Sequence, residues 1–77
     1  MEIKILDNNK IMVNGRYIIE EIYIKGTLCK TWEIYEDLSG KMETTDTDDM
    51  YWVNGDFTDL KSALTSLQDY IEENGDY

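Results

Sequence analysis

Residues 11–24, IMVNGRYIIEEIYI, decide the fold. Two apolar runs flank Asn14-Gly15, the pair best suited to the positive φ angles of a tight hairpin turn. The first run, Lys10–Val13, places Ile11 and Val13 on one face of a strand. The second, Tyr17–Ile24, is rich in β-branched and aromatic residues and reads as the returning strand. Its adjacent Glu20-Glu21 breaks the alternation and predicts a bulge or an exposed stretch. Ile18, Ile19 and Ile22 also fit a short helix, an alternative that this stretch alone leaves open.

Working outward, Glu2–Leu6 alternates polar and apolar residues with Ile3 and Ile5 on one face, and Asp7-Asn8-Asn9 is turn chemistry. On the other side, Lys25-Gly26 predicts a turn into a strand over Leu28–Asp37. There Trp32 and Ile34 face one way, and Glu33 and Tyr35 the other. Ser39-Gly40 ends that strand. Lys41–Asp49 is polar and acidic and reads as a long loop, and Met50–Val53 as a short last strand. Asn54-Gly55 is expected to turn the chain towards a helix.

That helix carries the strongest periodicity. Leu60, Ala63, Leu64, Leu67 and Ile71 recur along one face of a 3.6-residue repeat. Thr58 is the expected N-cap with Asp59 in the first turn, and Asn74-Gly75 the expected stop. The fold class is therefore α+β: an antiparallel meander of four to five strands with one C-terminal helix packed on one face. Residues 1–77 form one domain, mainly β-sheet over 1–53 and helix over 58–74. Ile5, Val13, Ile22, Trp32, Ile34, Leu60, Leu64, Leu67 and Ile71 are the expected core. Trp52 is expected to pack there too.

Composition narrows the function. The chain has 77 residues, 17 acidic against 7 basic, no histidine and a formal charge of −10. A domain of this size buries only about 60% of the surface its unfolded chain exposes, so one small core is all it holds. Nine aromatics and 42% hydrophobic residues are too many for a disordered acidic tail. No run approaches a membrane span of about 20 apolar residues, and the N-terminus lacks the basic start and apolar stretch of a signal peptide. A single cysteine, Cys29, fits a reducing, cytoplasmic compartment. Direct binding to DNA or RNA is disfavoured by phosphate repulsion.

Chemistry is mostly excluded. Asp46, Asp48 and Asp49 cluster as calcium ligands do, but a calcium-loop pattern starting at Asp46 meets Met50, Tyr51 and Phe57 where it needs an Asp or Asn, a Gly and a Glu. No metal site is expected. Cys29 has no histidine to serve as its base, and the glycines are isolated in turns rather than grouped to cradle a phosphate. The sequence assembles no catalytic constellation and calls for no cofactor, so the expectation is a protein that is not an enzyme.

The charge is uneven. Residues 1–41 hold six basic and seven acidic side chains; residues 42–77 hold Lys61 alone against ten acids. Asp69, Glu72, Glu73 and Asp76 are spaced three and four apart, one stripe on the helix. Like charges at that spacing destabilise a helix by about 0.2–0.5 kcal/mol per pair. They also sit at the negative end of the helix macrodipole. A local rule broken without local gain points to function, although a solvated face or a frayed helix end also accommodates such charge. Neighbouring side chains on the stripe leave the helix with Cβ atoms about 5–6 Å apart, close to the spacing of successive phosphates along a nucleic-acid strand. Asp46, Asp48 and Asp49 are candidates to extend the row, with Tyr70 among the acids as an aromatic anchor.

The acidic segment METTDTDDMYWVNGDFTD followed by LQDYIEENGDY resembles, by composition and size, small phage or mobile-element inhibitors that mimic DNA. Anti-CRISPR, anti-restriction and uracil-glycosylase inhibitor proteins are the known kinds. The likeness covers roughly the second half and includes no family motif, so no residue role is carried over. It implies an inhibitor whose partner is the basic surface of a nucleic-acid-handling host protein. The competing expectation is a small accessory or structural module that binds through its sheet face or an edge strand.

The failed calcium pattern gives a first prediction. Millimolar calcium should move the melting temperature no more than the same ionic strength of sodium chloride. A stoichiometric calcium site in a calorimetric titration would contradict this.

Overall fold

A computed structural model describes residues 1–39 and 46–74. Five strands run in chain order through one antiparallel sheet: β1 (Ile3–Asp7), β2 (Lys10–Val13), β3 (Tyr17–Tyr23), β4 (Lys30–Glu36) and β5 (Tyr51–Phe57). One helix, α1 (Leu60–Glu73), packs against a single face, giving the α+β meander. The β2–β3 turn has the expected chemistry. Asn14 and Gly15 adopt φ of 56° and 62°, values that Asn and Gly tolerate best. Asn14 also anchors β1. Its N–H donates to the Glu2 carbonyl, and its Oδ1 accepts from the Glu2 N–H, both at 2.8 Å.

Register pairs share a face, so the pairing assigns every side chain. Val13 pairs with Tyr17 and Tyr17 with Glu36; Ile11 pairs with Ile19 and Ile19 with Ile34. These rows face α1, whose Ala63, Leu67 and Ile71 close the core over them. The opposite face carries Lys4, Met12, Ile18, Tyr35 and Trp52 in one row. Ile18 is fully buried although it points away from the helix. A 3₁₀ turn, Thr47–Asp49, lies on this second face, where the Thr47 hydroxyl donates to Glu20 Oε1 at 3.1 Å. The run Ile18-Ile19 is therefore apolar because the strand is covered on both sides there.

That arrangement corrects the bulge expected at Glu20-Glu21. β3 keeps continuous register with β4 through both residues. Glu20 meets Lys10 at 3.2 Å on one face, and Glu21 meets Lys30 at 3.9 Å on the other. Cross-strand lysines, rather than a backbone distortion, accommodate the two acids.

The bulges lie in β5 instead. Asn54-Gly55 is not the expected turn into the helix but part of the strand, which continues to Phe57. The register slips twice against β4. Asp56 takes φ of 65°, and its N–H donates to Glu33 Oε2 at 2.7 Å. Glu33 also accepts from the Trp52 indole N–H at 3.2 Å. The Glu33 carboxylate lies against Gly55, where a Cβ would displace it from the Asp56 N–H and the Trp52 indole.

The helix starts one residue later than expected. Asp59, not Thr58, is the N-cap: it is extended, and its Oδ1 accepts from the Ser62 N–H at 2.7 Å. The Ser62 backbone N–H, and then the Ser62 side chain, hold the Asp59 carboxyl below the usual carboxylate range. Asn74 is the C-cap, and Gly75 lies outside the described residues.

The core is shifted from its expected membership. Val13, Ile34, Leu67 and Ile71 are buried, while Trp32, Leu60 and Leu64 pack at its margin. Ile5 is 77% exposed and Ile22 is at the surface. Ile5 lies on edge strand β1, beyond the helix, and Ile22 lies where β3 outruns the four residues of β2. Trp52 is half exposed because it sits on the helix-free face of the other edge strand. Ile11, Tyr17, Ile18, Ile19 and Ala63 complete the interior.

Leu67→Ala should cost about 2–5 kcal/mol, since the side chain is fully enclosed. Leu64→Ala should cost clearly less, because Leu64 is only half-buried. Chemical denaturation of the two variants checks the order; a larger loss for Leu64→Ala would overturn the assignment of the helix face.

Candidate functional site

α1 reverses direction after β5, so its C-terminal end returns over Tyr17 and Glu36. A buried polar network fixes it there. Glu36 is 5% exposed, accepts from Arg16 Nε at 2.7 Å, and accepts from the Tyr70 hydroxyl at 3.0 Å. The Tyr70 ring meets Tyr17 edge-on at 6.2 Å between centroids. A buried carboxylate is tolerable only with such partners. Burial first, and then the hydrogen bond and charge of Glu36, push the Tyr70 hydroxyl up to about 12.

With that end pinned, Asp69, Glu72 and Glu73 point outward. All three are exposed, and among the described residues none makes an ion pair or a side-chain hydrogen bond. The last turn of α1 holds no basic residue. Asp76 lies outside the described residues. Tyr70, expected as an aromatic anchor beside these acids, is half-buried and committed to Glu36. Its role in this structure is to hold the helix to the sheet.

Asp46, Asp48 and Asp49 do not extend the helical row. They are exposed, but Asp48 and Asp49 lie in the 3₁₀ turn, with Asp46 just before it, on the face away from α1. Asp46 accepts from the Asp48 N–H at 3.0 Å and caps that turn. A whole sheet, with its side chains, separates them from the helix acids. On this second face the Tyr35 hydroxyl is raised by burial first and then by Glu33 and Glu20, with Asp48 adding a smaller contribution. Among the described residues no group of three or more acids, cysteines or histidines is arranged to hold a metal ion. No described helix is long and apolar enough to cross a membrane.

Two exposed apolar surfaces stand apart from the acidic candidate site. One is β1, where Ile3 and Ile5 face the helix side but stand exposed beside Met1. The other is the β3–β4 hairpin end, where Ile22, Tyr23, Ile24 and Leu28 are exposed, Leu28 at 93%. The signal for the second was length. A long strand beside a short one must overhang it, and β2 has four residues to the seven of β3.

Compared with known protein families, curated proteins and solved structures, the chain matches none. The functional reading therefore rests on geometry and charge.

The Tyr70 network gives a pH prediction. At neutral pH the folded and unfolded chains both keep the Tyr70 proton. As pH rises past the ordinary value of 10.0, the unfolded chain releases it first, so stability falls until about pH 12. Tyr70→Phe should flatten this decline, leaving the smaller share from Tyr35. Equal slopes for parent and variant in denaturant titrations above pH 10.0 would contradict the buried Tyr70–Glu36 bond.

Proposed function

We propose that this protein is a non-enzymatic, cytoplasmic binding module, an acidic inhibitor that occupies the basic nucleic-acid groove of a host nucleic-acid-handling protein. The observation that carries the reading is the set Asp69, Glu72 and Glu73. They are exposed, without ionic partners among the described residues, and at the negative end of a helix held rigidly to its sheet. Carboxylates left in that position oppose helix stability, so a cationic partner gains what the fold does not use. Long-range attraction would steer the encounter, and a rigid row would limit the ordering cost of binding. Because Asp46, Asp48 and Asp49 lie across the sheet, the helix stripe is the primary surface and the turn acids add to the general field.

A second reading has its own support. Ile22, Tyr23, Ile24 and Leu28 form an exposed apolar hairpin end, with Lys25 and Lys30 beside them. The Lys30 ammonium lies over the Tyr23 ring at 5.0 Å and near Glu21. Such an end suits a module that docks through its sheet. It lies at the far end of β4 from Glu36 and the acidic helix terminus.

One variant separates the readings. Changing Asp69, Glu72 and Glu73 to Lys removes repulsion and places cations where the macrodipole favours them. Thermal stability should equal or exceed that of the parent. Capture of a nucleic-acid-binding partner should be lost, and parent capture should weaken steeply with salt as the Debye length falls below about 10 Å. Equal capture by both proteins at every salt concentration would reject the groove-mimic reading. A parallel Tyr23→Ser, Leu28→Ser variant that alone loses capture would establish the hairpin reading in its place.

A further inference from the structure

β1 is an edge strand with one side unpaired. The bond from Asn14 N–H to the Glu2 carbonyl makes Glu2 a hydrogen-bonded partner of β2. By the alternation of an antiparallel ladder, Lys4 is the next, and the N–H and C=O groups of Ile3 and Ile5 point to the open side. Edge strands are usually blunted by bulges, charge or cover. The opposite edge, β5, has its bulges at Val53–Asp56, opposite Glu33 and Ile34. In β1 the stretch Ile3–Ile5 pairs regularly, and its irregularity comes only after Ile5.

The side chains beside this edge are equally open. Ile3 is 48% and Ile5 77% exposed on the face that carries α1, because the helix runs closest to β4 and β5. Between Met1, just before β1, Asn14 in the β2–β3 turn and the flank of the helix lies a groove of about 190 Å³, lined by Met1, Asn14, Gln68, Ile71 and Glu72. Its wall is apolar at Ile71 and anionic at Glu72. The groove adjoins the N-terminal end of β1, so Glu72 stands beside the start of a strand with an unpaired backbone edge and exposed isoleucines.

We infer that β1 accepts a sixth strand from a partner, an extended segment with apolar side chains on the helix side and a lysine or arginine at the position facing Glu72. Backbone groups of Ile3 and Ile5 supply the pairing. Ile3 and Ile5 receive the apolar side chains, and Glu72 selects for positive charge. Lys4 lies on the other face of the sheet, where neutral residues of the incoming strand suit it. The occupant is a basic amphipathic strand rather than a second copy of this chain, because two copies would each bring a net charge of −10 to the joint. The inference shares with the proposed function only the availability of the helix acids.

The test uses a defined probe. The acetylated and amidated heptapeptide Lys-Thr-Val-Thr-Val-Thr-Lys presents lysine and valine on one face and threonine on the other. It is titrated into the ¹⁵N-labelled full chain, beside a version with glutamate at both ends. Backbone amide exchange at Ile3 and Ile5 should slow by about tenfold or more at saturation with the lysine peptide. The glutamate peptide should bind at least about tenfold more weakly. Ile5→Lys, at an exposed position, should weaken the lysine peptide by about tenfold while leaving the melting temperature near that of the parent. Unchanged exchange at Ile3 and Ile5, or equal binding of both peptides, would overturn the inference. So would protection of those amides in the peptide-free chain that grows with protein concentration, since the occupant would then be a second copy. No nucleic-acid-binding protein enters this experiment, so the groove-mimic reading and the strand-addition inference fail separately.

Discussion

Everything at the acidic end of this molecule depends on the burial of one acid. Glu36 is the only acidic residue among those described that the fold takes out of water, and it does so with Arg16 and Tyr70 both bound to it. An unpaired buried carboxylate would be heavily penalised, so the three side chains form or fail together. Their positions matter more than their energy. Arg16 lies in the β2–β3 turn, Glu36 ends β4, and Tyr70 lies near the C-terminal end of α1. The network thereby closes the helix onto the sheet at one end and sets which side of its last turns faces solvent. Asp69, Glu72 and Glu73 are outward because Tyr70 is inward.

The same logic explains the two layers around β3. Tyr17, Ile18 and Ile19 are all buried, although neighbouring residues of a strand point to opposite faces. The helix covers Tyr17 and Ile19, and the 3₁₀ turn lies on the face of Ile18. A sheet of five short strands gains a two-sided centre in this way, while its edges and its hairpin end stay bare. The exposed features among the described residues are a charged helix end, an open strand edge and an apolar hairpin tip.

Much of the fold is legible in the sequence. The Asn14-Gly15 hairpin, the strand order and the helical face rest on local patterns that the structure keeps. What was hidden depended on relations between elements. Ile5 alternates as a buried residue should, yet it lies on an edge that the helix does not reach. Asn54-Gly55 has turn chemistry, but the Glu33 carboxylate occupies the space beside Gly55 and binds the Asp56 N–H, which keeps the chain in the sheet. Glu20-Glu21 resembles a bulge because the lysines that meet the two acids, Lys10 and Lys30, come from different strands. For the candidate site, helical spacing was enough to place Asp69, Glu72 and Glu73 together. No local pattern could show that Asp46, Asp48 and Asp49 fall across the sheet, or that Tyr70 is bound to Glu36, since both depend on contacts distant in sequence.

The central claim is that the surplus negative charge has no favourable role inside the fold and is left for a partner. The most direct test is the melting temperature of the parent protein in sodium chloride, from about 0.01 M, where the Debye length is about 30 Å, to about 1 M, where it is about 3 Å. If the acids only repel one another, screening relieves the repulsion and the melting temperature rises across the series. A melting temperature that falls with salt would show that the acids are held in favourable ion pairs within the molecule, and would contradict the account.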